Sequence, residues 1–255
     1  MDLTASIIDC HSHCGIQDCS FDQSFESYYS CVESTEIEAV VMFPPVMEIY
    51  NRYDPYFEDT SHWQEKRKRA NEYLLNLGSK KITVIPYLFL WNDFQLGHLT
   101  TLHKGIKWHR HADEPVYNYD SKECSQAIAE IKRRNMPIVY EEELKNTIVF
   151  IRERAPEIRV IIPHLGGLNG GYKAIADYGL WERPYVYTDT SLASTFEISD
   201  YVNRYGDERI MFGSDFPFGD PMSELIKIQR MKLKAHTKEK ITGKNIKCLL
   251  SDSNV

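Results

Sequence analysis

This chain of 255 residues has little of what marks nucleic-acid-binding or membrane proteins. Its formal net charge is −7, so an extended basic surface for nucleic acid or anionic lipid is not expected. No apolar stretch reaches the length that a membrane-spanning helix needs. The first residues, Met1-Asp2-Leu3-Thr4, carry no basic segment ahead of an apolar run. We therefore expect no signal peptide and a cytoplasmic location.

The chain also lacks an ordered cysteine pattern. Its six cysteines are scattered: Cys10, Cys14, Cys19, Cys31, Cys124 and Cys248. A chain this long can bury a core without cross-links, and the spacing fits no disulfide framework, so we expect reduced thiols. Cys10, Cys14 and Cys19 could be imagined as a zinc knuckle. We disfavour it because no second cysteine pair follows and Cys10 should face away from His11 and His13.

Internal repeats, low-complexity tracts and linker-like stretches are absent as well. Hydrophobic residues make up 42% of the chain and charged residues 26%, which is the balance of a globular protein. The length suits one large core. We therefore predict a single domain over residues 1–255.

What the chain does contain is an alternation of short apolar runs and longer amphipathic segments. Runs such as Ala39-Val40-Val41-Met42-Phe43 are apolar throughout, which is typical of parallel strands covered by helices. The predicted helices are Asp59–Gly78, Ser121–Asn135, Leu144–Arg154, Ser194–Tyr205 and Met222–Lys232. The predicted strands are Ser6–Cys10, Glu38–Phe43, Ile82–Leu88, Gly105–Trp108, Pro137–Glu141, Arg159–Pro163, Val186–Asp189 and Ile210–Gly213. This order predicts a single (β/α)8 TIM barrel.

Two histidines and an aspartate stand at the ends of the first and last predicted strands. Strand side chains alternate between faces, so His11 and His13 point the same way. In a closed barrel the last strand lies beside the first, which brings Asp215 towards them at the end where such barrels keep their active sites. Two imidazoles and a carboxylate suit a divalent metal. The alternatives are a structural histidine pair and an aspartate that caps a helix.

Three segments resemble signatures of the amidohydrolase superfamily: Asp9-Cys10-His11-Ser12-His13, Val160-Ile161-Ile162-Pro163-His164-Leu165-Gly166-Gly167 and Phe212-Gly213-Ser214-Asp215-Phe216-Pro217. The branch that the chain resembles most is the "amidohydrolase 2" group of metal-dependent TIM-barrel hydrolases. That group also contains nonoxidative decarboxylases such as aminocarboxymuconate semialdehyde decarboxylase. The resemblance extends to residues 105–109 and 241–245 and covers essentially the whole chain.

The resemblance implies that His11, His13 and Asp215 ligate a metal, usually zinc. It also implies that His164 acts as an acid/base on the substrate or on metal-bound water, and Asp215 is expected to share the proton transfer. The residues agree, because His164 ends the sixth predicted strand and Gly166-Gly167 allow a tight turn after it. Imidazole titrates near neutral pH, as a proton shuttle must. The alternative is a core histidine satisfied by backbone groups.

The chain departs from the family on the fifth strand. Family members commonly end this strand with a metal-ligating histidine, whereas Glu141 stands in that place here. A glutamate can bind zinc and also suits harder ions such as manganese. Glu141 is therefore either a replacement ligand or the mark of an altered site. Glu142 and Glu143 are interpreted as charges at a helix N-terminus.

Four basic residues are candidates for substrate binding. Lys107 and His109 share one face of the fourth strand. We favour Lys107 as a substrate-binding group over the carbamylated lysine that bridges two metals in binuclear family members. His109 and Arg110 could contact an anionic substrate, and Arg52, in the aromatic loop 44–57, is a second candidate carboxylate clamp. The alternative for both arginines is solvated surface, and the loop is either a lid or packed by its own aromatics.

Together these features predict a metal-dependent hydrolase that acts on a small carbonyl compound such as a lactone or cyclic amide. Zinc is the expected ion and manganese the alternative. Two other functions stay open: a decarboxylase of the same branch, and a non-catalytic binding barrel, which the missing fifth-strand histidine favours. The expected partner is a small-molecule substrate, with no nucleic acid and no membrane, and a homodimer is compatible with the sequence.

Overall fold

The computed structural model describes residues 6–16 and 22–251. Cys19 lies outside these ranges, and with it the zinc knuckle considered above. The described cysteines are free thiols: Cys10, Cys14, Cys31, Cys124 and Cys248. Within the described ranges, none of the helices combines the length and apolar character needed to cross a membrane.

Eight parallel strands form one sheet in the order of the chain. They are β1 Ile7–His13, β2 Ile37–Phe43, β3 Thr83–Phe89, β4 Gly105–His109, β5 Ile138–Glu141, β6 Val160–Ile162, β7 Val186–Asp189 and β8 Ile210–Met211. All eight predicted strands are present. The largest difference is in β1, which continues to His13 and therefore contains both histidines of the site.

Helices follow the strands. They are α1 Phe25–Val32, α2 Ser61–Tyr73, α3 Lys122–Arg133, α4 Leu144–Val149, α5 Tyr172–Asp177, α6 Thr195–Tyr205, α7 Pro221–Arg230, α8 Ala235–Glu239 and α9 Asn245–Ser251. A π-helical turn, Phe150–Arg154, extends α4 to the predicted end, and a second one, Lys240–Lys244, joins α8 to α9. Short 3-10 turns lie at Val46–Glu48, Leu74–Asn76, Leu96–His98 and Pro163–Gly166.

Local signals start several of these helices. Ser194 accepts a hydrogen bond from the backbone N of Glu197, whose side chain accepts one from Ser194 in return. Ser121 caps α3 by accepting from the backbone N of Cys124 at 3.0 Å. Each cap contributes about 1 kcal/mol to helix stability. Serine at these positions is the reason that α3 and α6 begin within one residue of the predicted start.

The barrel closes between β8 and β1. Cys10 N donates to Phe212 O at 2.9 Å, Asp215 N donates to His11 O at 2.7 Å, and His13 N donates to Phe216 O at 2.8 Å. These bonds continue the ladder beyond the last residues of β8 and complete the predicted (β/α)8 TIM barrel. They also fix Asp215 beside β1, which is the juxtaposition on which the metal-site prediction depends.

A bulge in β1 changes which residues face the interior. Asp9 pairs with Val40 and Ser12 with Met42, so β1 has one more residue than β2 in this interval. Cys10 packs in the apolar interior of the barrel, while His11 on the next position also reaches the interior. The expectation that Cys10 faces away from the histidines is therefore wrong, because the bulge breaks strict alternation.

Asp9 points the other way and ties β1 to the end of β8. Its carboxylate accepts hydrogen bonds from Ser214 N at 2.9 Å, Ser214 Oγ at 2.6 Å and Tyr28 Oη at 3.1 Å. The interior beneath the site is filled by an apolar layer that α9 closes from below. Its members include Ile8, Val41, Val139, Ile161, Met211, Ile246 and Leu249. The site is therefore supported on a packed floor.

Candidate metal centre and acid–base site

His11, His13 and Asp215 converge at the carboxyl ends of β1 and β8. His11 Nε2 and His13 Nε2 each lie 3.3 Å from Asp215 Oδ1. Donor atoms bound at about 2.0–2.1 Å to a tetrahedral ion stand about 3.3 Å apart. All three side chains are buried. The spacing and the donor types therefore fit a divalent metal such as zinc.

The protonation states of His13 and Asp215 also suit a metal. Burial lowers the pKa of His13 to about 4, against the smaller opposing effect of Asp215, so its imidazole is neutral at pH 7. Burial alone would raise the pKa of Asp215, but His164, His11 and His13 outweigh it and hold that pKa far below its usual range. Neutral imidazoles and an ionised carboxylate are the forms that bind metals.

Glu141 points into the barrel mouth, where several basic groups surround its carboxylate. Oε2 lies 3.0 Å from Lys107 Nζ and 3.7 Å from His164 Nε2. Oε1 lies 3.1 Å from His109 Nε2 and 2.8 Å from His111 Nε2. Burial opposes the ionised form, but His109 and Lys107 lead a larger effect that holds the pKa of Glu141 well below its usual range.

The described residues contain three overlapping sets of possible ligands: His11, His13 and Asp215; His11, Glu141 and His164; and His109, His111 and Glu141. No set among them unites Glu141 with His13 and Asp215. The four predicted metal ligands therefore lie in two adjoining groups that share His11.

His164 lies between these groups. Its Nδ1 is 2.8 Å from Ser191 Oγ, and its Nε2 is 3.9 Å from Asp215 Oδ2. Burial alone would lower the pKa of His164, but Asp215, Glu141 and Asp189 together raise it to about 9. His164 is thus a buried imidazole that faces two carboxylates, which is a suitable position for handling a proton.

Left-handed backbone conformations concentrate at this site. His164 has φ 55°, Leu165 has φ 49° and Asp215 has φ 56°. Residues with side chains adopt this conformation at a cost of about 1–3 kcal/mol each, and such strain is typical of functional positions. The strained turns present His164 and Asp215 to the mouth of the barrel.

Two residues of the site had no predicted role. Asp189, at the end of β7, accepts a hydrogen bond from His11 Nδ1 at 2.9 Å, and His111 contacts Glu141. The sequence did contain a signal for Asp189, because it is a carboxylate at the end of a predicted barrel strand, where active-site residues lie. His111 follows β4 in a loop, where its neighbours depend on the path of the chain.

The charges of the site leave room for a divalent cation. The four buried carboxylates Asp189, Asp215, Glu141 and Glu114 carry four negative charges, and the side chains of Lys107 and Arg52 carry two positive charges. Because the pKa of His164 is raised to about 9, its imidazolium adds a third positive charge, and the mouth still keeps an excess of negative charge. Uncompensated buried charge is costly, and a divalent ion would offset it.

The candidate substrate-binding residues take different positions. Lys107 is fully buried, with Nζ 3.0 Å from Glu141 Oε2 and 3.4 Å from His11 Nε2. His109 is buried beside it. Arg52 pairs with Glu114 and lies 3.0 Å from His111 Nδ1. Lys107, His109 and Arg52 therefore border the site, and both cations already have anionic partners.

Arg110 is not brought to the site. Its Nη1 lies 2.5 Å from Glu142 Oε1, and its Nη2 donates to the carbonyls of Ala112 and Glu114. Glu142 directly precedes the N-cap of α4, as the sequence indicated, and it is fully buried as the partner of Arg110. The predicted substrate role of Arg110 is replaced by a buried ion pair, because the side chain that follows β4 turns towards β5 and not into the mouth.

The aromatic loop between β2 and α2 is partly packed and partly exposed. Tyr50 is buried, stacks on Trp91 with ring centroids 4.0 Å apart and donates to Glu114 Oε2 at 2.6 Å. Tyr53 and Tyr56 are 72% and 87% exposed. One part of the loop is therefore packed on the barrel, as one of the alternatives predicts, and its tip is open to solvent.

We predict that Glu141→Ala weakens metal retention and that Glu141→His preserves it. Glu141→Ala should also lower the free energy of unfolding by about 3–5 kcal/mol, because Lys107 then stays buried without its partner. Metal content after dialysis and chemical denaturation measure the two effects. Glu143→Ala, at a half-exposed neighbouring carboxylate, is the control. Full metal retention in Glu141→Ala would contradict the ligand role.

Comparison with known proteins agrees with this architecture. A family model described as amidohydrolase matches residues 149–250. These residues include His164, Asp189 and Asp215. No curated protein matches the chain by sequence.

Solved structures match over nearly the whole chain. A dihydroxybenzoic acid decarboxylase from Polaromonas sp. JS666, with bound manganese and the inhibitor 2-nitroresorcinol, is 12% identical, with 97% of each chain covered and a TM-score of 0.71. An amidohydrolase from Burkholderia multivorans with bound zinc is 15% identical, covering 97% of this chain and 99% of that one, with a TM-score of 0.68. A putative 2-pyrone-4,6-dicarboxylic acid hydrolase from Pseudomonas putida is 14% identical, with 98% of each chain covered and a TM-score of 0.67.

At these identities the solved structures establish the fold. Together with the family match, they confirm the resemblance that the sequence motifs indicated: the chain is similar to the amidohydrolase 2 branch of the amidohydrolase superfamily.

Proposed function

We propose that the protein is a metal-dependent hydrolase of a small, uncharged or singly charged carbonyl compound such as a lactone or cyclic amide. The observation that carries this proposal is the pairing of the nearby cations. Lys107 is paired with Glu141, Arg52 with Glu114, and Arg110 with Glu142. A substrate with several carboxylates would have to displace these internal partners.

The proposed metal ligands are His11, His13 and Asp215, with Glu141 as a fourth ligand from β5. Zinc is the favoured ion because two of the donors are imidazoles, and manganese is the alternative because carboxylates suit harder ions. A divalent ion bound there supplies Lewis-acid chemistry, which lowers the pKa of water and polarises a carbonyl group.

The chain's own residues supply orientation and proton transfer. His164 presents Nε2 to the carboxylates of Glu141 and Asp215 at 3.7 and 3.9 Å, so it can hold a proton between them and the substrate. Asp215, whose Oδ2 lies 3.9 Å from His164 Nε2, would share the proton transfer by stabilising the protonated form of His164. Lys107, which is buried between Glu141 and His11, would orient a carbonyl or hydroxyl oxygen of the substrate.

Apolar side chains give the site a wall for a flat substrate. The Phe43 ring makes edge contacts with His11 and His13, with centroids 4.9 and 4.8 Å apart. Phe218 lies 5.7 Å from His13 and is 49% exposed. Substrate sites are commonly apolar with few convergent polar groups, and a compact cyclic substrate fits that description.

The second candidate is a metal-dependent decarboxylase. Structures with this activity are among those that the fold matches, including the manganese-bound dihydroxybenzoic acid decarboxylase. A divalent ion would reduce the excess negative charge of the mouth and could hold one substrate carboxylate. His164, with its raised pKa, would then deliver a proton to the carbon that loses carbon dioxide.

A screen of lactones, cyclic amides and aromatic carboxylates, with and without chelator, separates the two. We expect chelator-sensitive ring opening, measured by acid release and chromatography, because the paired cations favour substrates of low charge. The same screen on His11→Ala/His13→Ala serves as the control for contaminating hydrolases. Chelator-sensitive release of carbon dioxide, with no hydrolysis of any lactone or amide, would contradict the hydrolase proposal.

A further inference from the structure

Asp189, at the end of β7, forms hydrogen bonds with both His11 and His164. It is fully buried. Its Oδ2 accepts a hydrogen bond from His11 Nδ1 at 2.9 Å. Its Oδ1 accepts from His164 N and from Ser191 N, each at 3.1 Å, and also from Ser191 Oγ. The two carboxylate oxygens therefore serve different partners.

These contacts place a proton on Nδ1 of each imidazole. A carboxylate only accepts hydrogen bonds, so Nδ1 of His11 carries a proton, and the neutral imidazole that binds a metal then offers the lone pair of Nε2. Lys107 Nζ, which only donates, lies 3.4 Å from the same Nε2. Ser191 gives its one hydroxyl proton to Asp189, so its oxygen accepts from His164 Nδ1. His164 Nε2 is then the nitrogen that faces the mouth.

A glycine allows Asp189 and His11 to meet. Strand β8 lies between β7 and β1, so the contact must pass over it. A Cβ atom at Gly213 would lie 2.9 Å from His11 Cβ and 3.4 Å from Asp189 Cβ. The first distance is too short for a side chain without displacement. The absence of a side chain at Gly213 therefore leaves the space in which Asp189 and His11 form their hydrogen bond.

We propose that Asp189 is a positioning residue that sets the metal-facing nitrogen of His11 and, through Ser191, the mouth-facing nitrogen of His164. The inference rests on the proposed function in that it takes His11 as a metal ligand. It adds a residue that links the metal group to the acid–base group. Carboxylates that orient a ligating histidine typically change metal affinity 10–100-fold when they are replaced.

Asp189→Asn tests the proposal with almost no change in shape. Oδ1 receives three donors, so the amide oxygen takes that position and the amide NH2 faces His11 Nδ1. The NH2 group donates where the carboxylate accepted, which moves the proton of His11 to Nε2. We expect zinc affinity, measured by competition with a chromophoric chelator, to fall about 10–100-fold. Long-range 1H–15N spectra of the zinc-free protein should show the changed tautomer of His11.

Ser191→Ala separates the effect of Asp189 on His11 from its effect on His164. It keeps the contact with His11, so zinc affinity and the His11 tautomer should stay as in the unaltered protein. His164 loses the acceptor at Nδ1, so the hydrogen-bonded resonance of its Nδ1 proton should disappear from the spectra. Ser191→Thr restores the hydroxyl group and should restore that resonance. If Asp189 and Ser191 only stabilised the fold, their replacement would lower stability without separate effects on His11 and His164.

Unchanged zinc affinity in Asp189→Asn would overturn the proposal. The proposal would also be overturned if spectra of the unaltered protein showed the proton of His11 on Nε2. This test of the unaltered protein does not depend on whether Asp189→Asn folds. None of these readouts needs a substrate. A protein that shows the expected tautomers and affinities but hydrolyses nothing would refute the proposed function and leave the role of Asp189 intact.

Discussion

The double variant His11→Ala/His13→Ala should lose its metal while the barrel stays folded. We expect the content to fall from about one divalent ion per subunit to nearly none, because two of the three donors at the β1/β8 junction are removed. The fold should persist, since the strands are held by backbone bonds and by the apolar layer beneath the site. Elemental analysis and circular dichroism measure the two quantities.

The matched control removes two histidines from the surface. His62 is exposed and the His236 side chain is 60% exposed, so His62→Ala/His236→Ala should retain the full metal content. Chelator-treated unaltered protein provides the reference for the stability of the metal-free barrel. If the variant at positions 11 and 13 keeps its metal, the ion is bound elsewhere and the site assignment is wrong.

His164→Asn should keep the metal and lose turnover. Asparagine preserves polarity and approximate size but cannot transfer a proton. General acid–base catalysis typically contributes about 10²–10⁴-fold to rate, so we expect kcat to fall at least about 100-fold on whichever substrate the screen identifies. Metal content should stay near that of the unaltered protein, because His11, His13 and Asp215 remain in place.

His103→Asn is the appropriate control for that variant. His103 is also buried, but it precedes β4 and accepts a hydrogen bond from Thr100 N at 3.1 Å, at the opposite end of the barrel. It should leave turnover unchanged. Full activity in His164→Asn would remove His164 from the mechanism. Loss of metal together with activity would instead make it a ligand, as its position near Glu141 and His11 allows.

The architecture follows closely from the sequence. Apolar runs and capping serines predict the eight strands and the principal helices, because burial pattern and local hydrogen bonds are properties of neighbouring residues. His11, His13 and Asp215 are candidates because they lie at or shortly beyond the carboxyl ends of predicted strands, which meet at one mouth of a barrel. The role of His164 is implied by the family resemblance, and its place after the sixth strand agrees with it.

Which partners those residues meet was decided by the tertiary structure. Asp189 and His11 are 178 positions apart, and their contact depends on barrel closure and on the missing side chain at Gly213. The β1 bulge that turns both Cys10 and His11 inward is likewise a consequence of pairing with β2. No periodicity within one segment encodes such a register.

The pairing of charged side chains likewise separates what the sequence indicates from what the tertiary structure decides. The sequence alone indicates basic residues near the mouth, and from this an anion-binding role for Arg52 and Arg110 was a reasonable prediction. Only the folded chain shows Arg110 joined to the buried Glu142 and Arg52 to Glu114. A buried charge needs a partner, and the partner is chosen by the three-dimensional path of the loops. Sequence thus determined the barrel and the candidate groups at its mouth, while the tertiary structure decided which of those groups are available to a metal or a substrate.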